Sequence, residues 1–142
     1  MVKIKTEEVR STEEFQMFKV TEKVRAFVEE SGIKNGVVFV VSAHTTAGIM
    51  INESLGCVEQ DIEELLERLE PRDYPYMHAH FLPSYGTTGG NSPGHLKSML
   101  AGNHCVLPVM DGELFCCHAQ DIYFVEFDGV KPRKYFIEVI GE

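Results

Sequence analysis

Histidines in this chain cluster in three places where packing does not account for them. His44 ends the largely apolar run Val37 to Ala43 and precedes Thr45-Thr46. His78 and His80 form an H-x-H in a turn-rich stretch, and His95 follows Asn91-Ser92-Pro93-Gly94, a loop entering a helix. Neutral imidazole is both the commonest protein metal ligand and the side chain best suited to proton transfer near neutral pH. If the three segments converge, they make a metal or acid/base site. The candidate catalytic residues are then His44, Glu53 and His95. The candidate ligands of a divalent ion, zinc or magnesium, are His44, His78, His80 and His95.

His95 falls at about the third position of its helix, where the dipole disfavours protonation. His78 and His80 share a face if their stretch is extended. No spaced motif such as H-E-x-x-H is present, and each histidine taken alone fits a surface or capping role equally well. A second constellation is the glycine-rich run Gly86-Thr87-Thr88-Gly89-Gly90-Asn91-Ser92 leading into a helix, with Lys97 beyond it. Successive glycines and a helix N-terminus suit an anion such as a phosphate, although the spacing is not that of a Walker A loop and an ordinary turn fits too. The candidate substrate-binding residues are Thr45, Thr46, Asn52, Gly89, Gly90, Asn91, Lys97 and Gln120. Glu53 could bind a metal or orient a ring, or serve only as a helix-start carboxylate.

The elements that must position these residues follow from hydrophobic period and turn chemistry. Segments 2–9 and 14–20 read as extended. Thr21 reads as the N-cap of a helix over 22–31 carrying Val24, Phe27 and Val28, which Gly32 stops. The continuous apolar run at 37–43 reads as a strand buried on both faces. Residues 47–52 read as extended, and 57–70 as a helix with Val58, Ile62, Leu65, Leu66 and Leu69 on its apolar face. Its acidic residues read as a solvated surface. Residues 72–94 are irregular, and Ser92-Pro93 reads as N-cap and N1 of a third helix ending at Gly102. The rest reads as β: 104–109, 113–118, 120–127 and 133–140, with Asp111-Gly112 and Asp128-Gly129 as hairpin turns. The sum is a single α+β domain over 1–142, dominated by antiparallel sheet.

A net charge of −9 argues against a phosphate-backbone binder, so no nucleic-acid partner is expected. No apolar stretch reaches membrane-spanning length, and the first residues lack the apolar core of a signal peptide; a cytoplasmic location without membrane contact is expected. Cys57, Cys105, Cys116 and Cys117 show no C-x-x-C spacing and read as reduced thiols that mostly pack. The last two are adjacent in an expected strand, and so point to opposite faces.

The segment His44-Thr45-Thr46-Ala47-Gly48-Ile49-x-Ile51-Asn52-Glu53 resembles the opening motif of the YjbQ-like family, associated with secondary thiamine-phosphate synthase activity. The likeness continues through Asp61 to Leu69, Tyr76-x-His78, Asn91-x-x-x-His95-Leu96-Lys97-Ser98, Leu107-Pro108-Val109-x-Asp111-Gly112-x-Leu114 and Glu126-Phe127-Asp128-Gly129 before Pro132-Arg133. It covers nearly the whole chain in order. The resemblance implies two packed, mostly antiparallel β-sheets with about three helices, assembly as a homotrimer, and recurrent histidines at 44, 78 and 95. It also implies weak transferase activity joining a pyrimidine diphosphate to a thiazole phosphate. A non-catalytic oligomer that binds a small ligand or metal is the competing reading. Cys117-His118-Ala119 stands where the family usually reads Gly-Thr-Trp, His104 replaces a frequent serine, and the 79–90 loop is long. The chain resembles a divergent member with a reshaped pocket.

Overall fold

The computed structural model describes residues 1–80 and 89–142, with the side chains of residues 79 and 80 outside that description. Strands β1 (Val2–Arg10), β8 (Pro132–Gly141), β3 (Gly36–Ser42), β5 (His104–Met110) and β6 (Glu113–Leu114) form a five-stranded sheet in that spatial order. Strands β2 (Gln16–Lys19), β7 (Asp121–Glu126) and β4 (Ala47–Asn52) form a three-stranded sheet. Every pairing in both sheets is antiparallel. Among the described residues, three helices have ten or more residues: α1 (Thr21–Ser31), α2 (Gly56–Leu69) and α4 (Ser92–Ala101). A single turn, α3 (Met77–His80), and a 3-10 turn at Gly89–Asn91 precede α4. This is the expected α+β architecture with two packed sheets.

The main core lies between the sheets. Val38, Val40, Leu107, Val109, Ile137 and Val139 from the large sheet meet Ile49, Ile122 and Phe124 from the small one, and Val24, Phe27 and Val28 of α1 join them. Helix α2 covers the other side of the small sheet, where Leu66 packs with Tyr123, Val125 and Phe127. Strand β7 is therefore the strand buried on both faces. The apolar run of β3 was expected in that place, but Val37, Phe39 and Val41 face outward and are only half-buried. A continuous apolar run reports low polarity on both faces, not which face a neighbour covers.

The two Asp-Gly pairs part ways. Asp111 (φ 53°) and Gly112 (φ 83°) both adopt positive φ and join Met110 to Glu113 as a two-residue hairpin, as expected of a I′ turn. Asp128-Gly129 makes no hairpin, because β7 and β8 belong to different sheets and the segment carries the chain across. The expected 113–118 strand stops at Leu114, so Cys116 and Cys117 lie in irregular chain. Thr21 does not cap α1. Its hydroxyl donates to Asp121 Oδ1 and accepts from the Ile122 N–H, fastening the helix to β7 instead. Gly32 does end α1, with φ 73° and its N–H donated to the Glu29 carbonyl. Of α2's expected apolar face only Leu66 is fully buried, while Leu65 and Leu69 are exposed. Among the described residues no helix is long and apolar enough to cross a membrane.

Candidate functional site

Histidine 44 sits in the turn between β3 and β4, and the sequence around it dictates how it is held. Ser42 Oγ donates to the Ala47 carbonyl and accepts the His44 N–H, pinning the two ends of the turn. Thr46 is fully buried beneath the ring. Its backbone N–H lies 3.1 Å from His44 Nδ1 and its hydroxyl 2.9 Å from the same nitrogen. That hydroxyl accepts from Arg133 Nη2 at 2.9 Å. Arg133 in turn donates Nε to Glu126 Oε2 at 2.8 Å and Nη2 to Oε1 at 3.2 Å, a bidentate buried ion pair. His44 keeps a solvent-facing edge. Partial burial of its Nδ1 side, and secondly the positive charge of Arg133, hold its pKa below 6.5, and Glu126 offsets this only in part.

Helix α4 brings His95 to the same place. Gly94 permits the approach: a Cβ there would lie 3.2 Å from the Phe127 carbonyl and 3.5 Å from Thr46 Cβ. Ser98 Oγ donates to the Ala47 carbonyl at 2.8 Å, and the Ile49 N–H donates to the Gly102 carbonyl at 3.0 Å, so the C-terminal half of α4 is tied to β4. Between helix and turn lies a cavity of about 640 Å³ lined by Ser42, Ala43, His44, Thr45, His95, Ser98, Met99, Gly102 and Asn103. His78, on α3, stands with its ring centroid 5.5 Å from that of His95. The two ring planes are tilted by 36° to one another. Among the described residues no group of three or more His, Cys, Asp or Glu is placed to hold a metal. The His80 side chain and Gly86 to Thr88 of the expected anion loop lie outside the described residues.

Other expected residues are not gathered here. Asn52 and Glu53 stand at the far end of β4, about 17 Å along the strand from Ala47, where the Asn52 side chain accepts the Glu53 N–H. Gln120 shares that end, since Asn52 pairs with Asp121, and its side chain accepts the Cys117 N–H. Asn91 is turned to Asp128, donating to its carboxylate at 3.0 Å. Lys97 faces away from the histidines and pairs with Glu67 of α2. Lys97 and Arg72 line a separate groove of about 820 Å³ between α2 and β2, with Glu59, Glu63 and Glu67. The acidic face expected to be merely solvated thus borders a groove, and Glu59 accepts from the Tyr123 hydroxyl at 2.8 Å. Arg133 and Glu126 were the residues that patterning missed. The signal was there: a carboxylate directly after the buried apolar run Ile122 to Val125 must find a cation.

Residues 5–142 match the sequence profile of the family described as UPF0047 protein, YjbQ-like. The chain is 34% identical over 138 residues to the UPF0047 protein YugU of Bacillus subtilis, covering 97% of this chain and 99% of that one. It is 32% identical over 134 residues to a UPF0047 protein of Methanothermobacter thermautotrophicus, covering 94% and 89%. Among solved structures, a protein of unknown function from Sulfolobus solfataricus superposes with a TM-score of 0.93 at 29% identity, covering 100% of this chain and 99% of that one. An uncharacterised protein from Clostridium acetobutylicum gives a TM-score of 0.85 at 34% identity, covering 95% and 98%. The profile match and the superpositions cover nearly all of the chain, and it belongs to the YjbQ-like UPF0047 family.

Proposed function

We propose that the histidine-lined cavity is the working site of a small cytoplasmic enzyme acting on a phosphorylated small molecule, with His44 and His95 facing the substrate. The observation that carries this is the convergence of His44, from the β3–β4 turn, and His95, from α4, on one cavity of about 640 Å³, a volume suited to a small ligand. The His78–His95 pair is the place for a divalent ion, zinc or magnesium. Such an ion supplies Lewis-acid polarisation of a phosphoryl or leaving-group oxygen when bound. The resemblance supports weak thiamine-phosphate synthase activity as the first reaction to assay. Dedicated barrel enzymes need 200 or more residues, so the activity would sit on an unrelated scaffold. Metal content and phosphate affinity of the wild type, His95→Ala and His78→Ala test the reading. Loss of metal from both variants and of phosphate affinity from His95→Ala is expected; full retention of both in His95→Ala overturns it.

One observation favours a binding protein without turnover. No carboxylate lines the cavity among the described residues, which leaves imidazole alone for proton transfer. Tight binding of a thiamine precursor without product formation would select this second reading.

Self-association belongs to the same proposal. The outward face of the five-stranded sheet carries Val2, Ile4, Phe39, Val106, Phe136 and Ile140, all at least partly exposed, on a chain of net charge −9. With strands about 4.8 Å apart, the face is on the order of 500 Å² in plan, smaller than the roughly 800 Å² that each partner gives to a standard interface. A second copy of the chain, carrying the same apolar face, is its occupant, and the homotrimer that the resemblance implies is the expected assembly. Sedimentation should give a trimer that Val106→Glu dissociates; a wild-type monomer at micromolar concentration contradicts it.

A further inference from the structure

We propose that His44 is a fixed hydrogen-bond donor rather than a metal ligand, held as the neutral tautomer with its proton on Nε2, and that Thr46, Arg133 and Glu126 are its positioning residues. The inference depends on the reading above only for the identity of what accepts from Nε2. The tautomer follows from the hydrogen bonds themselves.

A backbone N–H can only donate, so His44 Nδ1, 3.1 Å from the Thr46 N–H, must present its lone pair. A neutral imidazole has one proton, which then resides on Nε2. The Thr46 hydroxyl is aligned to strengthen this. It is 2.9 Å from Nδ1 and receives an N–H from Arg133, so its own hydrogen is free for the ring. Arg133 cannot turn away, since Glu126 grips it through two bonds and is itself fixed by the Asp128 N–H at 2.8 Å. Direction therefore runs from the carboxylate through guanidinium and hydroxyl to the ring.

Metal-ligating histidines show the opposite polarity. Their second nitrogen donates its N–H to a carboxylate, carbonyl or water, which leaves the first with a lone pair for the metal. Here the second nitrogen faces two donors. For Nε2 to ligate, the proton would have to move to Nδ1, against the Thr46 N–H. What Nε2–H can do is donate to an oxygen in the cavity: a phosphoryl or carbonyl oxygen fits, and a cation does not. A buried Arg–Glu pair is itself weak evidence for stability. Its third hydrogen bond, to Thr46, gives this one a role in the site.

Long-range 1H–15N correlation spectra of 15N-histidine-labelled protein test this, with His44 assigned by its absence in His44→Gln. At pH 7.5 Nδ1 should be unprotonated, and added zinc should shift His78 and His95 while leaving the His44 nitrogens in place. Thr46→Val, which keeps the backbone N–H but loses the hydroxyl link to Arg133, should leave Nδ1 unprotonated and weaken inorganic phosphate binding several-fold. Thr46→Ser should restore the binding. A protonated Nδ1 in the wild type, or zinc-dependent loss of the Nε2 proton, overturns the inference. Absence of phosphate binding with the tautomer intact would instead remove the cavity's proposed ligand and leave the tautomer standing.

Discussion

Glutamine in place of Glu126 isolates the charge of the buried pair. Glu126 is fully buried and Arg133 is 8% exposed. Oε2 accepts Arg133 Nε–H at 2.8 Å; Oε1 accepts Arg133 Nη2 at 3.2 Å and the Asp128 N–H at 2.8 Å. A glutamine keeps the two bonds at Oε1 but sets its NH2 against Arg133 Nε–H, donor against donor. The guanidinium cannot lose its proton, so it is left buried without a counter-charge. Breaking a buried pair in this way costs about 3–5 kcal/mol. At about 3 °C per kcal/mol for a domain of this size, the melting temperature should fall by roughly 10–15 °C. Urea and thermal unfolding followed by circular dichroism measure it, at fixed protein concentration because self-association shifts apparent stability. The double variant Glu126→Leu with Arg133→Met removes both charges and their desolvation cost, and should recover most of the loss. A Glu126→Gln protein within about 1 kcal/mol of wild type, or a double variant no better than the single one, would refute the reasoning.

Three further outcomes are expected. Cys57 and Cys117 are exposed, whereas Cys105 is buried and its thiol is pushed up to about 11, chiefly by that burial; alkylation at pH 8 read by mass spectrometry should label the first two and spare Cys105 until the chain unfolds. A Cβ at Gly48 would lie 2.7 Å from the Gly102 carbonyl and 3.1 Å from Ala101 Cβ, so Gly48→Ala should push α4 from β4 and cost about 1–3 kcal/mol in urea unfolding. The pKa of His44 is held below 6.5, first by burial and then by Arg133. The unfolded chain thus binds the proton first on acidification, so His44 subtracts stability as pH falls through 6.5 toward the lower folded value. His44→Gln should flatten that part of the stability profile, and an unchanged slope would contradict the assignment.

Elements whose identity depends on local chemistry were legible in the sequence. The period of α1 and its Gly32 stop and the Asp111-Gly112 hairpin are set by backbone preferences within a few residues and stand where expected, while α4 begins one residue early, with Ser92 as its first helical residue rather than its cap. What depended on distant partners was not. Thr21 has the chemistry of a cap, yet Asp121, a hundred residues away, offers its hydroxyl a better partner. Asp128-Gly129 has the same dipeptide as the true hairpin, but its flanking strands find neighbours in different sheets. Local propensity could not distinguish these, because the deciding contacts are tertiary.

The site divides along the same line. His44, His78 and His95 lie in short motifs whose neighbours explain them, and the fold brings the first and third to one cavity and the second beside the third. Asn52 and Glu53 lie only eight and nine positions beyond His44, but most of the intervening residues form β4, which carries the chain about 3.4 Å per residue away. Nearness in sequence means nearness in space on a helix or a turn; along a strand it means the reverse. Arg133 lies far from His44 in sequence yet reaches it through Thr46, because β8 runs beside β3 and the Ala43 N–H donates to the Lys134 carbonyl. The charge within an apolar strand was the readable trace of this link. A buried carboxylate at the end of β7 requires a cation on an adjoining element. Arg133 is the one such charge whose side chain points inward on β8, in alternation with Tyr135, Ile137 and Val139.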